Sequence, residues 1–307
     1  MRQVIAEPEN GKMIYLLSLL GYGDSIITGS IIESMVADQD MYLVGTNISK
    51  SAWSLLHKKL TPRVVLFDDF PAFYSIKASG FGAAWRDFEV AREWAVRNVK
   101  RDDSVIFERG KDLRSRLMLR GLGCEIVESY KEEGAYVDRA NMLGPFCGVH
   151  EWMAAERLCS RPKQILINPC ARDRIRAVPK AALYEILKTL KEADVSVHLV
   201  DYDGSYDEFA RLVNKYLYRP GLETSVEHLR SSDFYIGPDS FFIHLAYYFR
   251  IPQLAFFWGR NTYFVPPGLV ASGGVFFFDN IGDLRALKGK ILTLIDGDFD
   301  DGMVAGV

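Results

Sequence analysis

The sequence predicts an α/β protein of two doubly wound domains facing each other across a cleft, each a parallel sheet with helices on both faces. Short apolar runs alternate with longer helical segments along nearly all 307 residues, the pattern of βαβ units. The alternation breaks once, over residues 149–163, and then restarts. In both halves Gly, Asp, Ser or Arg stand where a strand gives way to a helix, and this is the edge at which parallel sheets hold ligands. A chain of this length also exceeds the usual size of one domain.

In the first half, strands are predicted over 12–19, 41–44, 63–67, 104–107 and 125–127. Helices are predicted over 25–35, 49–59, 84–98, 111–120 and 132–141. Residues 68–82, rich in Asp, Phe, Pro and Gly, read as a functional loop. The division is therefore 1–148 for the N-terminal domain, 149–163 for a linker with a short helix near 150–158, and 164–307 for the C-terminal domain. In that second domain strands are predicted over 164–168, 195–200, 233–237, 251–258 and 274–278. Helices are predicted over 180–192, 206–216 and 282–294, with one more opening at Asp239-Ser240.

Composition narrows the function classes. Hydrophobic residues make up 49% and charged residues 25%, with a net charge of −3, so nothing global points to nucleic acid or a membrane surface as partner. No window is long and apolar enough for a spanning helix, and the N-terminus lacks the apolar core of a signal peptide. Cys124, Cys147, Cys159 and Cys170 form no C-x-x-C pair, which argues against a zinc knuckle and a disulfide framework. The expectation is a cytoplasmic protein with reduced thiols.

Three stretches carry chemistry. In 18–35, a strand runs into Gly21 and Gly23, which let the backbone turn and approach a ligand, and Asp24 opens the helix as its cap. The spacing is neither G-x-G-x-x-G nor a Walker loop. In 165–179, a strand ends at Asn168-Pro169 and leads into Arg172, Arg174 and Arg176, with Pro179 fitted to the first turn of the next helix. Arginine forks suit phosphate oxygens, so these cations at a strand edge suit a diphosphate. In 233–259, Asp239 and Ser240 start a helix whose free N–H groups favour an anion. His244 lies about one and a half turns further on, bordering the same entrance. Asp201-Tyr202-Asp203 reads as a strand-end turn rather than a metal site, so no metal is expected. The run Arg101, Arg109, Lys111, Arg114, Arg116 and Arg120 reads as a solvated face.

In this order, the three stretches resemble glycosyltransferase family 9, the bacterial heptosyltransferases of lipopolysaccharide synthesis. The resemblance rests on Gly23-Asp24, on Arg176 before Val178-Pro179, and on Asp239-Ser240 with His244-Leu245-Ala246. Ile251-Pro252 and Phe257-Trp258-Gly259 extend it. Phe241 stands where the family has Gly, Arg176 where it usually has Lys, and Val178 where it has Trp. The resemblance implies a GT-B fold of two Rossmann-like domains and an inverting, metal-independent transferase. It implies no cofactor beyond a nucleotide diphosphate sugar as co-substrate, with ADP-heptose the expected donor. The acceptor would be a glycan or glycolipid hydroxyl, met by the N-terminal domain, for a glycolipid at the inner face of the membrane. Asp24 would be the general base. Arg172, Arg174, Arg176, Asp207, Asp239, Ser240, Phe241 and His244 would form the donor site. Asp201, Asp203 and Glu208 stand beside Asp207 as candidates to meet a ribose. Two alternatives stay open: a nucleotide-sugar epimerase of the same fold, and a catalytically degenerate nucleotide- or glycan-binding protein.

Overall fold

The computed structural model describes residues 12–18, 21–34, 41–56, 65–67, 81–108, 113–128, 133–145, 162–259, 262–270, 272–278 and 284–296. The chain divides into two compact units, Met1–Glu151 and Trp152–Val307. Of the functional loop expected over 68–82, residues 68–80 lie outside the described residues, as does the linker helix near 150–158; Phe81 and Gly82 already belong to a helix.

In the first unit the order is β1 (Ile14–Ser18), α1 (Tyr22–Ser34), β2 (Met41–Gly45), α2 (Asn47–Leu56), β3 (Val65–Phe67), α3 (Phe81–Asn98), β4 (Ser104–Phe107), α4 (Leu113–Leu119), β5 (Glu125–Glu128) and α5 (Ala135–Leu143). The strands form a parallel sheet in the order β3-β2-β1-β4-β5. Every residue of β1, β2 and β4 is buried, as expected for parallel strands covered on both faces. Trp53 of α2 is buried and donates its indole N–H to the Ser25 carbonyl at 2.9 Å. That bond ties α2 to the first turns of α1.

In the second unit the order is β6 (Gln164–Ile167), α6 (Lys180–Glu192), β7 (Ser196–Asp201), β8 (Lys215–Tyr218), α7 (Leu222–Arg230), β9 (Phe234–Pro238), α8 (Phe241–Tyr248), β10 (Gln253–Trp258), β11 (Val275–Phe278) and α9 (Leu284–Asp296). The parallel sheet runs β11-β10-β9-β6-β7-β8. One core joins Ile165, Ile167, Leu183, Leu187, Phe234, Ile236, Phe256 and Leu287.

The helix expected over 206–216 is replaced by a 3-10 segment, Asp207–Leu212, followed by β8. Side chains cause the change. Asp201 accepts from the Gly204 and Tyr206 amides and from the Tyr216 hydroxyl, which bends the chain sharply after β7. Asn214 then accepts from the Val197 amide at 2.8 Å, and Lys215 to Tyr218 pair with β7. Helix α7, absent from the sequence expectation, buries Ser225, Val226 and Leu229, a one-face spacing that could have revealed it.

Gly237 is sterically required. A Cβ at Gly237 of β9 would stand 2.0 Å from Tyr235 Oη and 2.9 Å from the Asn168 carbonyl. Gly237→Ala is therefore expected to lower stability by about 3 kcal/mol, the upper part of the overpacking range, read as a shift of the urea midpoint.

Candidate functional site

In each sheet the strand order reverses between the first strand and a strand from later in the chain. In the first unit the reversal lies between β1 and β4, and in the second between β6 and β9. Loops leaving the carboxyl ends of such strand pairs open the crevice in which doubly wound folds bind ligands. Asp24 follows β1, the Arg172–Arg176 loop follows β6, and Asp239 and Ser240 follow β9. Glu108 directly follows β4 and was not singled out from the sequence.

Asp24 is not the helix cap. Helix α1 begins at Tyr22, so Asp24 is its third residue, within the first turn, where the helix dipole favours a carboxylate. Ser25 returns both its amide and its hydroxyl to the Gly21 carbonyl. A Cβ at Gly21 would meet nothing within 4 Å, so this glycine leaves open space beside the helix entrance. Gly23 lies inside the first turn rather than before it.

Arg139 of α5 grips Asp24 twice. Its Nη2 donates to Asp24 Oδ1, and its Nη1 donates to the Asp24 carbonyl at 2.8 Å. The arginine side chain is 3% exposed and the aspartate 26%. Such a fork fixes the carboxylate's direction and leaves its outer edge accessible. Glu108 is buried beside them, and its Oε1 accepts from Ser18 Oγ at 2.7 Å. Burial pushes its pKa up to about 7; Arg139 opposes the rise and Asp24 adds to it.

In the second unit, Asp173 caps the 3-10 turn Arg174–Arg176 by accepting from the Ile175 amide. The turn aims Arg176 at Asp239: Nη1 lies 3.1 Å from Oδ2 and 3.4 Å from the carbonyl. The pair pins the basic loop to the start of α8. Ser240 is the residue before that helix, in extended conformation, without a side-chain capping bond. Its Oγ is enclosed beside the Oη of buried Tyr235, and burial raises the tyrosine's pKa. Phe241 is half-buried with its ring 4.3 Å from that of Phe242. His244 is buried one turn into the helix, so it shapes the helix entrance from inside. Pro179 is the residue before α6 rather than the first within it. Arg172 and Arg174 are exposed.

A groove of about 380 Å³ at this edge is lined by Cys170, Arg174, Lys180, Asp203, Tyr206 and Trp258, among others. Asp203 is thus the ribose candidate that faces it. Asp207 is exposed on the 3-10 segment and is not a lining residue, and Glu208 pairs with Lys180 at 2.7 Å. Asp201 is fully buried and spends both oxygens on the turn after β7. Cys170, Asp201 and Asp203 lie close enough to hold a metal. Burial pushes the Cys170 thiol up to about 12, and the thiol donates to Asp201 at 3.7 Å. Of the basic run, Arg116 pairs with Glu128, while Arg101 and Arg120 are exposed; Arg109 and Lys111 lie outside the described residues.

No protein-family model matches the chain, and no curated protein does. Solved structures do. The E. coli heptosyltransferase WaaC, in complex with ADP-2-deoxy-2-fluoro heptose, superposes with a TM-score of 0.63 over 92% of this chain and 98% of its own, at 14% identity. A glycosyltransferase family 9 protein of Veillonella parvula gives 0.60 at 13% identity, over 91% of this chain and 88% of its own. The fold is that of the family 9 heptosyltransferases. The UDP-GlcNAc 2-epimerase of Methanocaldococcus jannaschii also matches, with a TM-score of 0.52 at 11% identity, over 95% of this chain and 93% of its own. Among the described residues, no helix is long and apolar enough to cross a membrane.

Proposed function

We propose that this protein is an inverting glycosyltransferase that moves a sugar from a nucleotide diphosphate donor, ADP-heptose first among candidates, to a hydroxyl of a glycan or glycolipid. The observation that supports it most is that each unit carries a chemically distinct site at the carboxyl edge of its own sheet. One holds a carboxylate oriented by a buried arginine, and the other gathers an arginine, a serine and a helix N-terminus.

The second site suits the leaving diphosphate. Arg176 has donors beyond the one on Asp239, and the first turn of α8 presents free N–H groups. Those contacts strengthen as the bond from the anomeric carbon to the phosphate oxygen breaks and charge gathers on the diphosphate. Asp24 takes the proton of the acceptor hydroxyl as its oxygen bonds to the anomeric carbon. Arg139 keeps the carboxylate from swinging and leaves one oxygen for that proton. The N-terminal unit is thus the acceptor side and the C-terminal unit the donor side. A glycolipid acceptor would bring the protein to the inner face of a membrane.

The epimerase fold likeness makes one alternative concrete, because the same scaffold serves sugar inversion without an acceptor. Incubation with ADP-heptose and a set of core glycolipids separates them. Acceptor-dependent release of ADP with a new glycosidic bond is the expected result. A donor converted to its epimer with no acceptor present would replace the transferase reading.

A further inference from the structure

We propose that His198 and His228 form a binding site for a divalent transition ion such as zinc, held between β7 and α7. The site uses none of the residues proposed for transfer and stands independently of that reading.

The two imidazoles come from different elements, and the backbone of each is fixed. His198 is the third residue of β7, set between Leu166 of β6 and Lys215 of β8. His228 stands in the last turn of α7, where the Ser231 and Ser232 hydroxyls donate to its carbonyl at 3.1 and 2.7 Å. The ring centroids lie 5.2 Å apart, with the planes at 84°. Both residues are half-buried. Among the described residues neither ring has a hydrogen-bond partner, and Nδ1 of His198 is enclosed without one.

That separation suits a shared ion. With zinc–nitrogen bonds of about 2.0–2.1 Å and a tetrahedral angle, the ring centres of two imidazoles on one ion stand about 5 Å apart. Steeply inclined planes are compatible, because each ring has only to hold the ion in its own plane. Imidazole ligates as the neutral base, and both rings are kept neutral. Burial lowers both pKa values; His228 and Lys215 add to this at His198, and Lys215 adds to it at His228, where Glu227 opposes. Lys215 is exposed, so water and salt screen its repulsion of a bound cation. Two protein ligands leave coordination positions for water, and such a site binds its ion exchangeably. The ion joins the end of α7 to the middle of β7. His198 precedes Asp201 by three residues along the strand, about 10 Å, so the ion acts on the stability of the unit and not on the transfer step.

The test titrates zinc chloride into the untagged, chelator-treated full chain, followed by thermal shift and by nitrogen-15 spectra of the histidine rings. At ten times the dissociation constant, Tm should rise by about 3 °C or more. The ring signals of two of the five histidines should shift, and both effects should vanish in His198→Gln and in His228→Gln. Should His198→Gln fail to fold, His228→Gln decides alone, since its half-buried place at a helix end tolerates the change; the His198 ring must then stay unshifted by zinc. No rise in Tm, or a rise that survives in His228→Gln, would overturn the proposal. A rise abolished by Cys170→Ser and kept in the histidine variants would overturn it too, by placing the ion at Cys170, Asp201 and Asp203. Neither readout involves a nucleotide, so failure here and failure of the transferase reading are distinguishable.

Discussion

Asp24→Asn is expected to slow glycosyl transfer by about 10²- to 10⁴-fold, the usual contribution of a positioned general base. The substitution is nearly isosteric, and the oxygen of the new carboxamide can still accept from Arg139, so the first turn of α1 keeps its place. Donor affinity should change little, because the residues proposed to hold the donor, Arg176, Asp239 and Ser240, belong to the other unit. The expected signature is a fall in kcat with the nucleotide Kd held. Loss of donor binding in this variant would mean that Asp24 contacts the donor, and an unchanged kcat would remove it from the chemistry.

Arg139→Met is expected to cost more stability than any other single change at this site, about 3 kcal/mol or more. Removing one member of a largely buried ion pair leaves the other charge uncompensated, and the attraction by which Arg139 lowers the Glu108 pKa is lost with it. The loss should depend on pH. Glu108 carries a folded-state pKa raised from 4.5 to about 7. Between those values the native state holds a proton that the unfolded chain has released, so this group's contribution to stability is lost as pH rises toward 7. Without Arg139, which opposes that rise, the loss should extend to higher pH. Urea unfolding of wild type and variant at pH 5 and pH 8 reads the difference. A gap that shrinks with rising pH would show that Arg139 does not neutralise these carboxylates.

Much of this site is legible in the sequence because its parts are local. Gly23-Asp24 lies in the first helical turn after β1 and Asp239-Ser240 just before α8, and each parallel sheet brings such turns to its own carboxyl edge without further information. Arg176 is legible for the same reason, three residues before the proline that precedes α6. Glu108 and Arg139 are not. Glu108 is a single acidic residue beyond an apolar strand, and Arg139 is one more cation within a helical pattern. Only the folded chain, joining positions 115 and 90 residues apart, makes them partners of Asp24 and Ser18.

The fold divides in the same way. The alternating pattern fits β1, β2, β4, α6 and β9 within a residue or two. It fails after β7 because the decisive groups are a buried aspartate and an asparagine that bond backbone amides, and such bonds leave no periodic trace. Asp201 shows the hazard for site reading as well: its residue type and its place suit a ribose contact, but its burial and three hydrogen bonds assign it to the turn.

The account rests most directly on a nucleotide diphosphate site at the β6–β9 edge. Thermal shift with ADP, UDP, GDP, CDP and ADP-heptose on wild type and Asp239→Ala measures it. The account predicts stabilisation by ADP and ADP-heptose over the other bases, lost in the variant. No stabilisation by any diphosphate, or one unchanged by Asp239→Ala, would contradict it.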